Sequence, residues 1–153
     1  MQDSVTEDHA VAIYQAMLDD IRRSYAERDF SIYNHHLHVP QVCSTFGGTE
    51  QIDTPEQLQE TFNCVCDYLT SLGVTEFKRT CTSAVVFGPN KIIGSHITEL
   101  IGQGGPLREP YEVWVTLEYL DGRWKVTSSE NAVSGTSWQA YAFRQGAQLK
   151  MAR

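Results

Sequence analysis

The sequence has no long apolar run and little positive charge. No stretch approaches the roughly 18 apolar residues that a helix needs to cross a bilayer. Lysine and arginine number 12 against 19 for aspartate and glutamate, so the net charge is −7. A basic footprint for nucleic acid is therefore missing, and an anionic membrane surface repels the chain on average. We expect neither nucleic acid nor a membrane among the partners of this protein.

Cysteine is scarce, and its spacing does not suit zinc. Of the four cysteines, Cys64 and Cys66 are separated by one residue, and no second pair follows at zinc-finger spacing. All four are interpreted as free thiols that pack as small apolar groups. The first ten residues, MQDSVTEDHA, are acidic and polar, unlike a secretory signal. Together these features predict a reducing, cytoplasmic location.

Motifs for nucleophilic catalysis or phosphate binding are also missing. The glycine-rich segment 102–105 joins two predicted strands, whereas a phosphate loop joins a strand to a helix. No G-x-S-x-G segment occurs. His35, His36 and His38 cluster in IYNHHLH, but no carboxylate or cysteine lies at a matching short spacing, and a zinc site needs three or four ligands. We predict no metal and no cofactor, and we interpret the cluster as a helix ending.

The apolar pattern predicts helices first and strands afterwards. A helix is expected over residues 8–27, a short one from Phe30 that stops before Pro40, and a third from Pro55 to just before Gly73. Thr54 and Gln57 predict a capping box for the third helix. A small early hairpin precedes it. Period-two alternation then predicts four strands, over residues 75–88, 91–102, 110–120 and 123–133.

This order of elements indicates an α+β fold. Strands joined by short turns are antiparallel, so the helices are expected on one face of a curved antiparallel sheet. A chain of 153 residues suits one domain. We assign residues 1–153 to it, with a core over 8–133 and a C-terminal extension over 134–153. The aromatic residues of the extension either pack on the body or join a partner.

Strand alternation suggests which side chains point toward the helices. Val115 and Leu117 share one face of the third long strand, and Ser128 and Glu130 share a face of the fourth. We expect these two faces to point inward. The second strand is ambiguous, because Ile93, Ile97 and Ile101 on one face rival Ile92 and Leu100 on the other. If the face of Gly94 and Thr98 points inward, His96 lies under the helices. A pocket is then expected around Val115, Leu117 and Ser128.

His96 and Glu130 are the candidates for chemistry. A carboxylate beside a buried histidine raises its pKa, so the pair suits general acid–base catalysis. The alternative is a hydrogen-bonded core histidine and an exposed glutamate. Tyr14 and Tyr33 offer hydroxyl groups to a pocket ligand, or else serve as core residues with one polar end.

Several segments resemble the nuclear transport factor 2-like superfamily. AERDFSIYNHHLHVPQV is similar to the end of its first helix, its second helix and its first strand. GGTEQIDTPEQLQETF resembles its hairpin and the entry to its third helix, and LDGRWKV resembles its last hairpin. The resemblance implies a cone, in which a curved antiparallel sheet wraps around helices and encloses a pocket. It also implies a homodimer through the outer sheet face, where Trp114 and Ile97 would fit an interface.

The superfamily includes ketosteroid isomerases, polyketide cyclases and small dehydratases as well as proteins that are not enzymes. Where the isomerases have a carboxylate base, the matching position here falls near Thr45, which cannot serve as that base. SHITELIGQGGPLR resembles a hairpin in the association domain of calcium/calmodulin-dependent kinase, whose pocket arginine corresponds to His96. We therefore predict a domain whose hydrophobic pocket binds a small apolar or mixed-polarity molecule. The alternatives are a lyase, isomerase or cyclase that uses His96 as general acid/base, and a dimerisation module.

Overall fold

Four helices pack against one curved sheet in the computed structural model, which describes residues 6–149. The remaining residues of the predicted domain, 1–5 and 150–153, lie outside the described part. The helices are α1 (Glu7–Glu27), α2 (Phe30–His36), α3 (Pro55–Leu72) and α4 (Trp138–Ala147). The strands are β1 (Leu37–Thr45), β2 (Gly48–Ile52), β3 (Glu76–Val86), β4 (Lys91–Gly102), β5 (Gly105–Pro106), β6 (Tyr111–Leu120) and β7 (Arg123–Asn131). The predicted α+β class is confirmed.

Local sequence signals set the bounds of α3. The Thr54 hydroxyl accepts a hydrogen bond from the Gln57 backbone N–H at 3.1 Å, and the Gln57 side chain accepts one from the Thr54 N–H at 3.2 Å. This is the predicted capping box. Gly73 ends the helix with φ of 82°, a conformation that glycine adopts without strain. None of the described helices has the length and apolarity that spanning a membrane requires.

The sheet is mixed, which corrects the expectation of an antiparallel sheet throughout. Its strand order is β2-β1-β7-β6-β4-β3, with β5 paired to β4. The predicted meander of β3, β4, β6 and β7 is antiparallel. β1 instead joins β7 in a parallel pairing. This pairing links segments that are far apart in the chain, so no short turn between the two strands predicts it from the sequence.

A bulge in β7 reverses the side-chain direction that was expected for its second half. Leu117 pairs with Val126 but Thr116 pairs with Ser128, so the register shifts and Thr127 has no partner on β6. An extra residue exchanges the two faces of a strand beyond it. Val126 therefore faces the helices before the bulge, whereas Ser128 and Glu130 face outward after it. The predicted inward position of Ser128 and Glu130 is wrong.

The described part of the C-terminal extension packs on the body of the protein. α4 lies along α3 and also contacts β1 and β2. Gly146 brings the two helices close together, since a Cβ at this position would meet the Thr61 hydroxyl. Ser137 starts α4 by accepting the Ala140 N–H at 3.2 Å. The extension thereby adds a fourth helix beside the interior that the sheet and the first three helices enclose.

Candidate functional site

A cavity of about 90 Å³ lies between the inner face of the sheet and the helices. α4 closes one side of it with Trp138, Gln139 and Phe143. The lining is mixed in polarity, with aliphatic and aromatic groups around a few polar ones. The apolar residues include Met17, Ile21, Leu37, Val113, Val115 and Val126, and the polar residues include Gln41, Arg79, Ser129, Asn131 and Gln139.

Arg79 brings a positive charge to this cavity. Its Nη2 donates a hydrogen bond to His96 Nε2 at 3.0 Å, and its guanidinium carbon lies 5.4 Å from the centroid of the Phe77 ring. Its Nε and Nη1 are buried without a hydrogen-bond partner among residues 6–149. No carboxylate in that range forms an ion pair with it. A buried charge with unused donors is costly to maintain, so this arrangement favours an anion at the guanidinium.

His96 supports Arg79 from within the sheet. The imidazole is fully buried and contacts Tyr14 as well as Arg79. A guanidinium only donates, so Nε2 is the acceptor and the hydrogen of the neutral ring is on Nδ1. Nδ1 then donates to the Tyr14 hydroxyl oxygen at 2.7 Å. Burial, with the Arg79 charge, lowers the pKa of His96 to about 2, so the ring is neutral near pH 7.

Comparison with known proteins shows the fold. No family model and no curated protein sequence matches the chain. A nuclear transport factor 2-like protein with a cystatin-like fold from Novosphingobium aromaticivorans is 12% identical, with a TM-score of 0.66 over 92% of this chain and 90% of that one. A nuclear transport factor 2-like protein of unknown function from Shewanella oneidensis is 11% identical, with a TM-score of 0.64 over 80% and 98%. The chain has the nuclear transport factor 2-like fold.

A third similar structure, from Shewanella frigidimarina, is provisionally described as a ketosteroid isomerase. It is 16% identical, with a TM-score of 0.59 over 76% of this chain and 92% of that one. At such identities the likeness shows the fold alone, because one fold can carry unrelated functions. The function must therefore be argued from the residues of this cavity.

Two of the five predicted pocket residues line the cavity. Tyr33 and Val115 are at its wall. Tyr14 and Leu117 are fully buried in the packed core beyond the lining. Ser128 is on the opposite face of the sheet because of the bulge, and its neighbour Ser129 takes the inward position.

The expected pair of His96 and Glu130 does not form. Glu130 is exposed and lies opposite Trp114 on the outer face. The row of His96 continues across the sheet through Val113 to Asn131. A catalytic role for His96 stays a prediction, and its geometry offers no support: the ring is outside the cavity lining, and its hydrogen bonds go to Tyr14 and Arg79.

The histidine cluster of α2 and β1 diverges to separate partners. His36 Nε2 pairs with the Asp20 carboxylate at 2.8 Å, and His35 Nδ1 accepts from Arg123 at 2.7 Å. His38 donates to the carbonyl of Pro40 at 3.1 Å. Within residues 6–149, no group of three or more potential metal ligands is arranged to hold an ion.

The sequence interpretation missed Arg79 and Gln139, which give the cavity its polarity. Arg79 did leave a signal, because it shares one face of β3 with Phe77 and Cys81. A single arginine in such a strand is usually exposed, so the alternation alone does not show whether Arg79 points to the interior or to solvent. Gln139 belongs to the extension, and only the docking of α4 brings it to the cavity.

Proposed function

We propose that the cavity binds a small organic anion whose carboxylate lies against Arg79. The observation that supports this most directly concerns Arg79, which lines the cavity and has two buried guanidinium nitrogens unpartnered among the described residues. A carboxylate would supply both the missing acceptors and the missing negative charge. This narrows the expected apolar or mixed-polarity ligand to the mixed type.

The size and the lining of the cavity restrict the rest of the ligand. The cavity volume of about 90 Å³ is small, and it limits the ligand to a few non-hydrogen atoms. Val113, Val115 and Val126 form an apolar wall that suits a short hydrocarbon chain. A carboxylic acid of about three carbons fits both limits. His96 is the positioning residue in this proposal, since its hydrogen bond holds the guanidinium in place.

Calorimetric titration with propionate and with propionamide tests the charge requirement, because the two molecules have nearly the same shape. Propionate is expected to bind and propionamide to bind at least tenfold more weakly, since a charge-assisted hydrogen bond contributes about 1.5–3 kcal/mol. Arg79→Met should abolish the preference for propionate. Arg79→Lys, which keeps the charge but not the planar donor geometry, should keep part of it.

The matched control is Arg108→Met, because Arg108 is exposed and donates to the carbonyl of Leu107. This variant should bind propionate as the wild type does. Equal binding of propionate and propionamide by the wild type, no binding of either, or unchanged propionate binding by Arg79→Met would each overturn the proposal.

We also propose that two copies associate through the outer face of the sheet. One row across this face consists of residues that are directly opposite one another in successive strands, from Val42 through Ser128, Thr116 and Ile93 to Val85. Trp114 is 44% exposed and Val85 is 40% exposed on this face. Large apolar groups exposed on one face mark contact surfaces. In the predicted homodimer, a second copy of the chain covers this face.

Sedimentation velocity of the purified protein tests the dimer. Trp114→Glu should shift the equilibrium toward the monomer, because it places a charge on the apolar surface that would be buried. Phe46→Glu is the control, since Phe46 is 78% exposed but lies in the turn between β1 and β2. A wild-type monomer at all concentrations, or a dimer that Trp114→Glu leaves intact, would contradict the proposal.

A further inference from the structure

Gln139 lines the cavity and has a hydrogen-bond acceptor that is unused among the described residues. It is the second residue of α4, and it is only 5% exposed. Its Oε1 has no hydrogen-bond partner among the described residues. Buried amide oxygens nearly always accept a hydrogen bond, because leaving one unpaired forfeits its hydration.

The other two amide side chains at the cavity are engaged within the protein. Asn131 Nδ2 donates to the carbonyl of Ser44 and to the Ser129 hydroxyl, each at 3.2 Å. Gln41 accepts from the Cys43 thiol at 3.4 Å and donates to the carbonyl of His38 at 3.3 Å. Their functional groups therefore serve the sheet and its edge. Gln139 differs from both, since its Oε1 has no hydrogen-bond partner within residues 6–149.

Tyr111 connects Gln139 with Arg79. It lines the cavity with them; burial raises the pKa of Tyr111, and the nearby Gln139 side chain and Arg79 charge partly offset that rise. The cation and the free acceptor thus belong to one small region of the site. A ligand of a few atoms can reach both when its anionic group and its donor are close together.

We infer that the bound anion is a short hydroxy acid, whose carboxylate pairs with Arg79 and whose hydroxyl donates to Gln139 Oε1. The inference rests on the proposed function and specifies the ligand class. A buried acceptor discriminates well between a ligand that has a donor and one that lacks it, because the second ligand leaves the acceptor unpaired. Position 139 would then select the ligand, and the C-terminal extension would supply a part of the site that the rest of the domain lacks.

Three acids with three carbons and one negative charge test the inference in the wild-type protein. Propionate has no second polar group, lactate has a hydroxyl donor, and pyruvate has a carbonyl that only accepts. Lactate is expected to bind about tenfold more tightly than propionate, as one additional buried hydrogen bond allows. Pyruvate is expected to gain nothing over propionate, because its carbonyl would face another acceptor.

Gln139→Met then isolates the acceptor, since methionine keeps the length of the side chain and removes its polar atoms. The variant should lose the preference for lactate over propionate. Gln148→Met is the control, because Gln148 is exposed at the end of the same helix. It should keep the full tenfold preference.

The outcomes separate this inference from the proposed function. Equal affinities for all three acids, all dependent on Arg79, would overturn the hydroxy-acid inference and leave the anion site in place. A lactate preference that persists in Gln139→Met would also overturn it. Failure of all three acids to bind would overturn both. The affinities of the wild type for the three acids test the inference even if Gln139→Met does not fold.

Discussion

Mild acid is expected to destabilise the protein through His96. The neutral imidazole is fully buried, and its Nε2 accepts a hydrogen bond from the Arg79 cation. Protonation in the folded state would place two positive charges in contact and remove that acceptor. Burial and Arg79 accordingly lower the pKa of His96 from 6.5 to about 2. In the unfolded chain the ring is hydrated and titrates near its ordinary value.

The direction of the effect follows from the two pKa values. Because the folded value is the lower one, the unfolded chain takes up the proton first as the pH falls. The stability that the neutral ring preserves is complete above pH 6.5 and is lost progressively below it. One pKa unit corresponds to about 1.36 kcal/mol, so lowering the pH from about 7 to about 5 should reduce the free energy of unfolding by about 2 kcal/mol. This window lies above the ordinary carboxyl range.

Urea denaturation at the two pH values measures the effect. The wild type should lose about 2 kcal/mol at the lower pH, and His96→Gln should lose much less because it has no buried imidazole. His9→Gln is the control, since His9 is exposed near the start of α1, and it should behave as the wild type does. The pKa of His35 is also lowered, so the test is the difference between wild type and variant.

Two results would refute this reasoning. One is a pH dependence of His96→Gln equal to that of the wild type. The other is an imidazole resonance of His96 that titrates near pH 6.5 in the folded protein, as measured by nuclear magnetic resonance. Either result would mean that the ring is accessible to water or that Arg79 does not face it.

Three substitutions probe the packing and the helix cap, each checked by urea denaturation against the wild type. Gly146→Ala should lower the free energy of unfolding by about 1–3 kcal/mol, because its Cβ would meet the Thr61 hydroxyl; an unchanged value would show that α4 is loosely packed. Gly94→Ala should cost a similar amount, since its Cβ would lie 2.5 Å from a ring carbon of Tyr14. Thr54→Ala should cost about 1 kcal/mol by removing the α3 cap, and no loss would contradict that role.

Local chemistry determined much of the secondary structure. Thr54, Pro55 and Gln57 act within one turn, so they set the start of α3 whatever packs on it. The alternation of apolar residues and the tight turns between strands predicted the β3, β4, β6 and β7 meander for the same reason. The resemblance to nuclear transport factor 2-like proteins added the curved sheet, which the structure shows.

The candidate site depended on contacts between distant segments. Strand alternation was sufficient for Val115, which lies on the regular part of β6. It failed for Ser128 and Glu130, because the bulge at Thr127 exchanges the faces of β7. The position of such a bulge depends on how neighbouring strands pair, and no residue type in this segment predicts it.

The sequence by itself therefore determined the helices, most of the strands and the class of the fold, since these follow from periods of two and 3.6 residues and from local caps. Only the tertiary structure decided which polar groups meet inside. Arg79 and His96 come from adjacent strands, and Gln139 comes from a helix 60 residues further along the chain than Arg79. These three side chains come together only after the sheet has packed on α1 and after α4 has packed against α3.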